Sequence, residues 1–353
     1  MKDSSLVVVY GSYGYTGSLI VKLCKQKNLQ VILAGRNKQS LHQQSEESGY
    51  PYQVVESNDR VGLKKLLEPA SLVIHCGGPF RHTASFMSEA CLATKTHYTD
   101  ITGEYEVFES MAALDSQAKS AGIMIMPGTG FDVVPSDCLA AHLKKRLPSA
   151  THLQLGFTMS EGGSSRGTKK SVTEGLGHPG FIRKDGQLTP IALGEKVMEI
   201  NFGTFKSNTL NIPWGDISTA WRSTEIPNIE VYMGATDSMI RNAKRSKYFG
   251  WILRQSWLKN YLLRKIDQGK AGPSEQRREK SRSFLWGKVW DGSGKECVSR
   301  LEAPNGYALT AQTSVLIAEK ILQGNFKTGY QTPAMAYGAD LILEIPTTKR
   351  TDQ

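Results

Sequence analysis

The sequence predicts an α/β protein: a Rossmann-type doubly wound parallel sheet, then a second α/β (α+β) domain, then a C-terminal helix returning to the first. Three observations predict it. Short β-branched apolar runs alternate with helix-compatible stretches up to about residue 130. A glycine turn joins the first run to the first helical stretch, and the rhythm changes after Pro135.

Leu6 to Tyr10 is the first strand, followed by Gly11-Ser-Tyr-Gly14-Tyr-Thr-Gly17 and by Leu19, Ile20 and Leu23 at helical spacing. Further strands are expected at Gln30 to Ala34, Tyr52 to Glu56, Leu72 to Cys76, His97 to Ile101 and Ile123 to Met126. That places a dinucleotide-type domain over 1–133. Beyond Pro135 come a helical stretch to Leu147, a strand over Thr151 to Thr158, and a loop from Glu161 to Gly167. Several short strands between 180 and 235 and a basic helical region over 241–266 complete a domain set at 134–300. A segment over 301–353 carries the amphipathic helix Ala311 to Leu322, ended by Gly324 and expected on the first domain.

Composition excludes several classes. Of 353 residues, 39% are hydrophobic and 22% charged, a globular balance. No uninterrupted apolar run is long enough to span a bilayer, and Leu6 to Tyr10 is too short for a secretory signal. The five scattered cysteines form no C-x-x-C pair and suit a reducing, cytoplasmic setting. The seven histidines have no H-x-x-x-H spacing, and no metal is expected. Residues 241–300 carry 16 basic and 5 acidic side chains, so the entire net charge of +10 lies there. With no binding module beside it, that charge gives no reason to expect nucleic acid.

The glycine spacing has a mechanical reason. One glycine permits the sharp turn, another lets backbone approach a pyrophosphate, and the helix amino end presents N–H groups to negative charge. Gly11, Ser12, Tyr13, Gly14, Tyr15, Thr16 and Gly17 are therefore cofactor-binding candidates. The second strand ends in Gly35-Arg36-Asn37, where an NAD enzyme usually offers an acid to the ribose. A guanidinium instead favours the 2′-phosphate of NADP. Asn58 and Asp59 after the third strand suit either the adenine edge or helix capping. Cys76-Gly77-Gly78-Pro79-Phe80 closes the fourth strand at the ligand edge of the sheet, where paired glycines let backbone approach the nicotinamide. Tyr98 to Glu104 and Gly128 to Asp137 follow the next two strands.

Taken in order, YGSYGYTG, LAGRN, GGPF, HYTDITGE and GFDVVPSD resemble the saccharopine dehydrogenase-like oxidoreductases, and among them the trans-acting enoyl reductase group. Gly272 to Arg277, Trp286-Gly287, Gly306 to Ala311 and Thr332 to Ala334 extend the resemblance over nearly the whole chain. It implies an NADP-linked reductase acting on a C=C (enoyl), C=O or C=N bond of a small-molecule or acyl/lipid substrate, and a homodimer is expected. By position it puts Gly11 and Tyr13 to Gly17 on the pyrophosphate, Arg36 and Asn37 on the adenosine phosphate, and Gly77 to Phe80 beside the nicotinamide. Asp100, Gly103, Glu104 and Asp132 become pocket candidates, although Asp100 and Glu104 could equally cap the helix that starts there.

Reduction also needs a proton source. His82, Tyr98 and Asp132 lie near the rim and are the catalytic candidates, none marked by a diagnostic partner. The Tyr-x-x-x-Lys match at Tyr261 and Lys265 lies far from the cofactor half, and Cys138 reads as a small buried hydrophobe. A Rossmann-type protein that senses NADP or positions a partner without catalysis is the alternative. In the basic segment, Phe249, Leu253, Trp257 and Tyr261 recur every four residues, with Leu258 and Leu262 widening the face. Basic residues from Arg241 to Lys265 accompany them. The stripe suits an anionic membrane surface or a carrier protein, or burial within the protein or a dimer.

Overall fold

A computed structural model describes residues 3–160 and 163–353, so Glu161 and Gly162 of the expected loop lie outside the described residues. The chain divides into two units: residues 1–134 with 307–336, and residues 135–306 with 337–353.

In the first unit the alternation of the sequence becomes β1 (Asp3–Tyr10), α1 (Tyr15–Gln26), β2 (Gln30–Gly35), α2 (Lys38–Ser48), β3 (Tyr52–Val54), α3 (Arg60–Leu67), β4 (Ala70–His75), α4 (Phe80–Thr94), β5 (His97–Asp100), α5 (Tyr105–Ala112), α6 (Asp115–Ala121) and β6 (Met124–Met126). The strands are parallel in the order β3-β2-β1-β4-β5-β6. Val7, Val8 and Val9 of the central strand are fully buried, because helices cover both faces and consecutive side chains all need apolar neighbours. The strand order reverses between β1 and β4, and the crevice at their carboxyl ends is where such sheets take ligands.

The second unit follows α7 (Val134–Arg146) with β7 (His152–Met159), α8 (Arg166–Glu174), β8 (Gly180–Lys184), β9 (Gln187–Ile191), β10 (Val197–Asn201), β11 (Lys206–Asn211), α9 (Asp216–Thr224), β12 (Asn228–Gly234), α10 (Asp237–Leu253), α11 (Ser256–Asp267), α12 (Glu275–Lys280), β13 (Arg282–Trp290) and β14 (Glu296–Pro304). Its main sheet runs β10-β11-β12-β7-β13-β14, with β8 on β12 and β9 on β8. Only β7 and β12 pair in parallel among these strands. Helix α7 lies close on β13, with Leu143 and Leu139 over Gly287, where a Cβ would stand 2.6 Å from Leu143.

The last stretch does not return as one piece, which corrects the boundaries at 300 and 301. Strand β14 is in the second unit. From α13 (Gly306–Leu322), residues 307 onward join the first unit, and β15 (Gly329–Tyr330) adds a seventh parallel strand beside β6. After α14 (Pro333–Tyr337), β16 (Lys349–Asp352) pairs antiparallel with β14 in the second unit. There Asp352 accepts hydrogen bonds from Ser299 Oγ at 2.7 Å and pairs with His142 Nε2 at 2.9 Å.

Among the described residues no helix is long and apolar enough to cross a membrane, and no cluster of three or more His, Cys, Asp or Glu side chains could hold a metal ion.

Candidate active site

The glycine turn sits where β1 meets the crevice. Gly11 takes a φ of +77°, and a Cβ there would lie 2.8 Å from Gly77 N, so the turn and the loop after β4 touch through backbone. Gly11 N donates to Ala34 O at 2.7 Å, Gly14 N to Gly11 O at 3.0 Å, and Cys76 N to Tyr10 O at 2.7 Å. Gly14 is the N-cap of α1 and has no side chain to cap it, and the first turn holds no acid. A helix start of this kind leaves N–H groups and positive potential for an anion. Beside it, the Ser12 hydroxyl is buried and has no hydrogen-bond partner among the described residues. An orphaned hydroxyl next to an uncapped helix start fits a pyrophosphate, whose oxygens satisfy both.

On the adenosine side, Arg36 is exposed just past β2. Tyr13 leans away from the turn onto the end of that strand: a Cβ on Gly35 would be 2.6 Å from its ring, and its hydroxyl accepts from Asn37 N at 3.2 Å. The ring thus links the phosphate turn to Arg36. Asn37 also caps α2, its Oδ1 accepting from Ser40 N at 2.9 Å. Asp59 likewise caps α3 through Gly62 N at 2.9 Å, while Asn58 is exposed in the turn before it.

The loop Cys76 to Pro79 is held from beneath. Thr83 donates to Gly77 O at 2.8 Å and contacts His75 Nε2 at 2.9 Å, so His75 donates from Nε2. Burial lowers the His75 pKa to about 3 and keeps the ring neutral. Helix α4 begins at Phe80 with no local side-chain cap. Glu104 supplies one from the next loop: its carboxylate accepts from Phe80 N at 3.1 Å and Arg81 N at 2.9 Å, and pairs with Arg81 Nε at 3.4 Å. It caps α4 rather than the α5 helix that it precedes. Glu104→Ala is therefore expected to lower unfolding free energy by about 1–2 kcal/mol, read from urea denaturation.

Asp100 and Tyr98 both stand on β5. Both are fully buried. Asp100 accepts from Tyr98 Oη at 2.5 Å, Thr102 N at 3.0 Å and Gly128 N at 2.8 Å, which ties the loop after β5 to the loop after β6. Burial raises its pKa to about 6 against the pull of those three bonds. Burial and the neighbouring Asp100 carboxylate hold the Tyr98 hydroxyl well above its ordinary range. The bond commits this phenol to the Asp100 carboxylate that joins the two loops. His82 is exposed on the first turn of α4.

Asp132 is the remaining acid, on the short turn before α7. Its carboxyl lies against Gly103, where a Cβ would be 2.7 Å from Oδ2. Gly103 thus leaves clearance for the Asp132 carboxyl. Burial, then repulsion from Glu104, raises the Asp132 pKa to about 7. Such a group holds a proton near neutral pH and can give it up. The structure therefore brings Gly77 to Phe80, Glu104 and Asp132 into one continuous rim.

Sequence reasoning missed the clasp that α13 makes on this rim. Thr310 Oγ1 accepts from Phe131 N at 3.0 Å, and Thr313 Oγ1 donates to Thr129 O at 2.7 Å. The hydroxyl run Thr310, Thr313 and Ser314 on one face of an apolar helix was its signal. At Gly14 the structure allows a sharp test. Its φ of −65° suits any residue and a Cβ would stand 3.1 Å from Gly11 O, whereas a Cβ on Gly17 would collide with Gly11 O. Gly14→Val should fold yet weaken NADPH binding at least about tenfold, seen as a smaller cofactor-induced thermal shift, whereas Gly17→Val should lose stability itself.

Residues 7–126 match a family model described as the saccharopine dehydrogenase NADP binding domain. The mouse protein named saccharopine dehydrogenase-like oxidoreductase is 27% identical over 203 residues, covering 50% of this chain and 47% of its own. The trans-acting enoyl reductase of Mycobacterium ulcerans (strain Agy99) is 29% identical over 148 residues, 40% of this chain and 35% of that one. A Caenorhabditis elegans lipid droplet localized protein is 29% identical over 153 residues, 39% of this chain and 36% of its own. The matches span less than half of each of these relatives. In fold, the chain is similar to the apo saccharopine dehydrogenase (L-Glu forming) of Saccharomyces cerevisiae, with a TM-score of 0.70 over 99% of this chain and 100% of that one at 13% identity.

Proposed function

We propose that the protein is an NADP(H)-dependent oxidoreductase reducing a C=C (enoyl), C=O or C=N bond, a reading supported by the match of residues 7–126 to the saccharopine dehydrogenase NADP binding domain. Its substrate is hydrophobic or lipid-like. The observation that carries the reading is the phosphate turn: an uncapped helix start and an orphaned, buried Ser12 hydroxyl at the switch point of a parallel sheet. When bound, the cofactor supplies the hydride. The amino end of α1 and Ser12 bind its pyrophosphate, and Arg36 binds the adenosine phosphate. Gly77 and Gly78 let backbone lie against the nicotinamide side. Asp132 holds the proton that completes the reduction, at a carboxyl whose pKa of about 7 suits donation at neutral pH.

The class of substrate draws on the relatives, one named an enoyl reductase and another for lipid droplets. The odd number and wide spacing of the five cysteines support a reducing compartment such as the cytoplasm. The test is NADPH binding followed by its oxidation with a panel of enones, imines and ketones carrying alkyl chains. Saturable NADPH binding with turnover of a panel member supports the reading. Absence of NADPH binding removes it, and binding with no turnover across the panel favours the sensor instead.

A further inference from the structure

The basic helices of the second unit are not used by the cofactor reading, and they are resolved by the structure into two faces. Helix α10 ends at Leu253 and α11 begins after Gln255, so the stripe over 249–261 bends between two helices. The side chains of Phe249 and Leu253 lie outside the described residues. On α11, Leu258, Leu262 and Ile266 recur at helical spacing and are half-buried, and this helix packs on α8. The same side is pinned by Lys259 Nζ donating to Glu174 O at 2.7 Å and by Lys170 pairing with Asp267 at 2.6 Å.

The other side is open. Trp257 is 65% exposed and Tyr261, one turn on, 51% exposed; Trp251 near the end of α10 is 62% exposed. Single exposed apolar side chains are ordinary, but three large aromatics within eleven residues are not. Arg264 and Lys265 follow on the same helix, with Lys265 Nζ 5.0 Å from the Tyr261 ring centre. Arg241, Lys244, Arg245 and Arg254 are exposed on or just after α10. From residue 238 to residue 266 the sequence has eight Lys or Arg and no Asp or Glu.

We propose that this aromatic and basic face of α10 and α11 docks on an anionic phospholipid membrane surface. Charge chooses the occupant. A second copy meeting the face symmetrically would set its basic residues against their own kind, because a two-fold interface pairs a patch with itself. An anionic bilayer instead offers charge to the lysines and arginines, and its interfacial zone takes the amphipathic rings of Trp and Tyr. The bond is peripheral, since among the described residues no helix can span a bilayer.

The test is cosedimentation of the full chain with phosphatidylcholine vesicles, with and without phosphatidylserine at about one third of the lipid. Phosphatidylserine should strengthen binding at least about tenfold at low salt, and raising salt to about 0.5 M should reverse most of that gain. Trp257→Glu and the pair Arg264→Glu, Lys265→Glu should each weaken it at least about tenfold while keeping the parental melting temperature. Trp257 fluorescence should shift blue on binding, judged by difference from a Trp257→Phe variant. Four results overturn the proposal: no binding to phosphatidylserine vesicles at low salt, equal binding to both vesicle types, binding that Trp257→Glu leaves intact, or a concentration-dependent dimer abolished by Trp257→Glu without vesicle binding. Tighter binding to single-stranded RNA than to phosphatidylserine vesicles at equal salt counts against it too.

Discussion

Asp132→Asn is expected to lower kcat for NADPH-dependent reduction by about 10²–10⁴ while leaving the NADPH dissociation constant within about twofold of the parent. The amide keeps the shape of the side chain against Gly103 but cannot deliver a proton. The pH profile gives a second reading. With its pKa raised from the ordinary 3.8 to about 7, the Asp132 carboxyl is protonated below neutral pH, so reduction by the parent should fall as pH rises through about 7. The variant should lack that fall. Stability carries the same sign: a raised pKa means that the folded state binds the extra proton, so the contribution is present below about pH 4 and lost as pH climbs towards 7. Asn at 132 should flatten this slope in part, leaving the portion due to Asp100, whose pKa is raised to about 6. Unchanged kcat and an unchanged pH profile in a folded Asn variant would show that the proton comes from elsewhere.

A Glu104→Ala variant separates two effects of Glu104. Its carboxylate caps α4 and also raises the Asp132 pKa by like-charge repulsion. Glu104→Ala should therefore both cost stability and move the pH midpoint of reduction downwards. A cofactor contact would instead raise the NADPH dissociation constant. The two outcomes are distinct because the cap and the repulsion act on different observables.

The parallel sheet was legible because its central strands β1, β2 and β4 are apolar runs rich in β-branched residues, and strands buried on both faces need not alternate. Five of its first six strands lie within two residues of their expected bounds, and the first, Asp3–Tyr10, begins three residues before the run that announced it. Strand β15 was invisible: two residues, Gly329 and Tyr330, hold no period. The second unit was legible only as several short strands. Strand Lys206–Asn211 is largely polar and Val197–Asn201 is short, while the pairing of β12 with β7 at the centre of the sheet joins strands distant in sequence.

At the site, residue type was legible and commitment was not. Asn37, Asp59, Asp100 and Glu104 are short polar side chains at loop ends, a composition shared by caps, hubs and ligand contacts. Tyr98 and Asp100, two apart on one strand, were bound to face the same way, and that spacing carried the signal for their hydrogen bond. Helix α4 gave a similar hint, since Gly78-Pro79-Phe80-Arg81 contains no capping side chain and the cap had to come from another loop. The raised pKa of Asp132 depends on Glu104 and on burial, which arise only when loops 28 residues apart in the chain converge.

Arg36→Glu is expected to weaken NADPH binding by about a hundredfold or more and to leave NADH binding unchanged or improved. The guanidinium is exposed at the end of β2, one residue beyond Gly35, on which the Tyr13 ring rests. Its charged hydrogen bonds to the 2′-phosphate are worth about 1.5–3 kcal/mol, roughly ten- to 150-fold in affinity. Glutamate forfeits those bonds and adds repulsion of the phosphate, while its carboxylate can accept from the ribose hydroxyls of NADH. Arg36→Ala should fall between, losing at least about tenfold for NADPH only. The folded protein should be indifferent to both changes, because an exposed arginine at this position buries little surface. Dissociation constants for both cofactors, measured for parent, Ala and Glu forms, decide the matter: equal losses for NADPH and NADH would place Arg36 outside the phosphate site, and a graded, NADPH-selective loss would place it there.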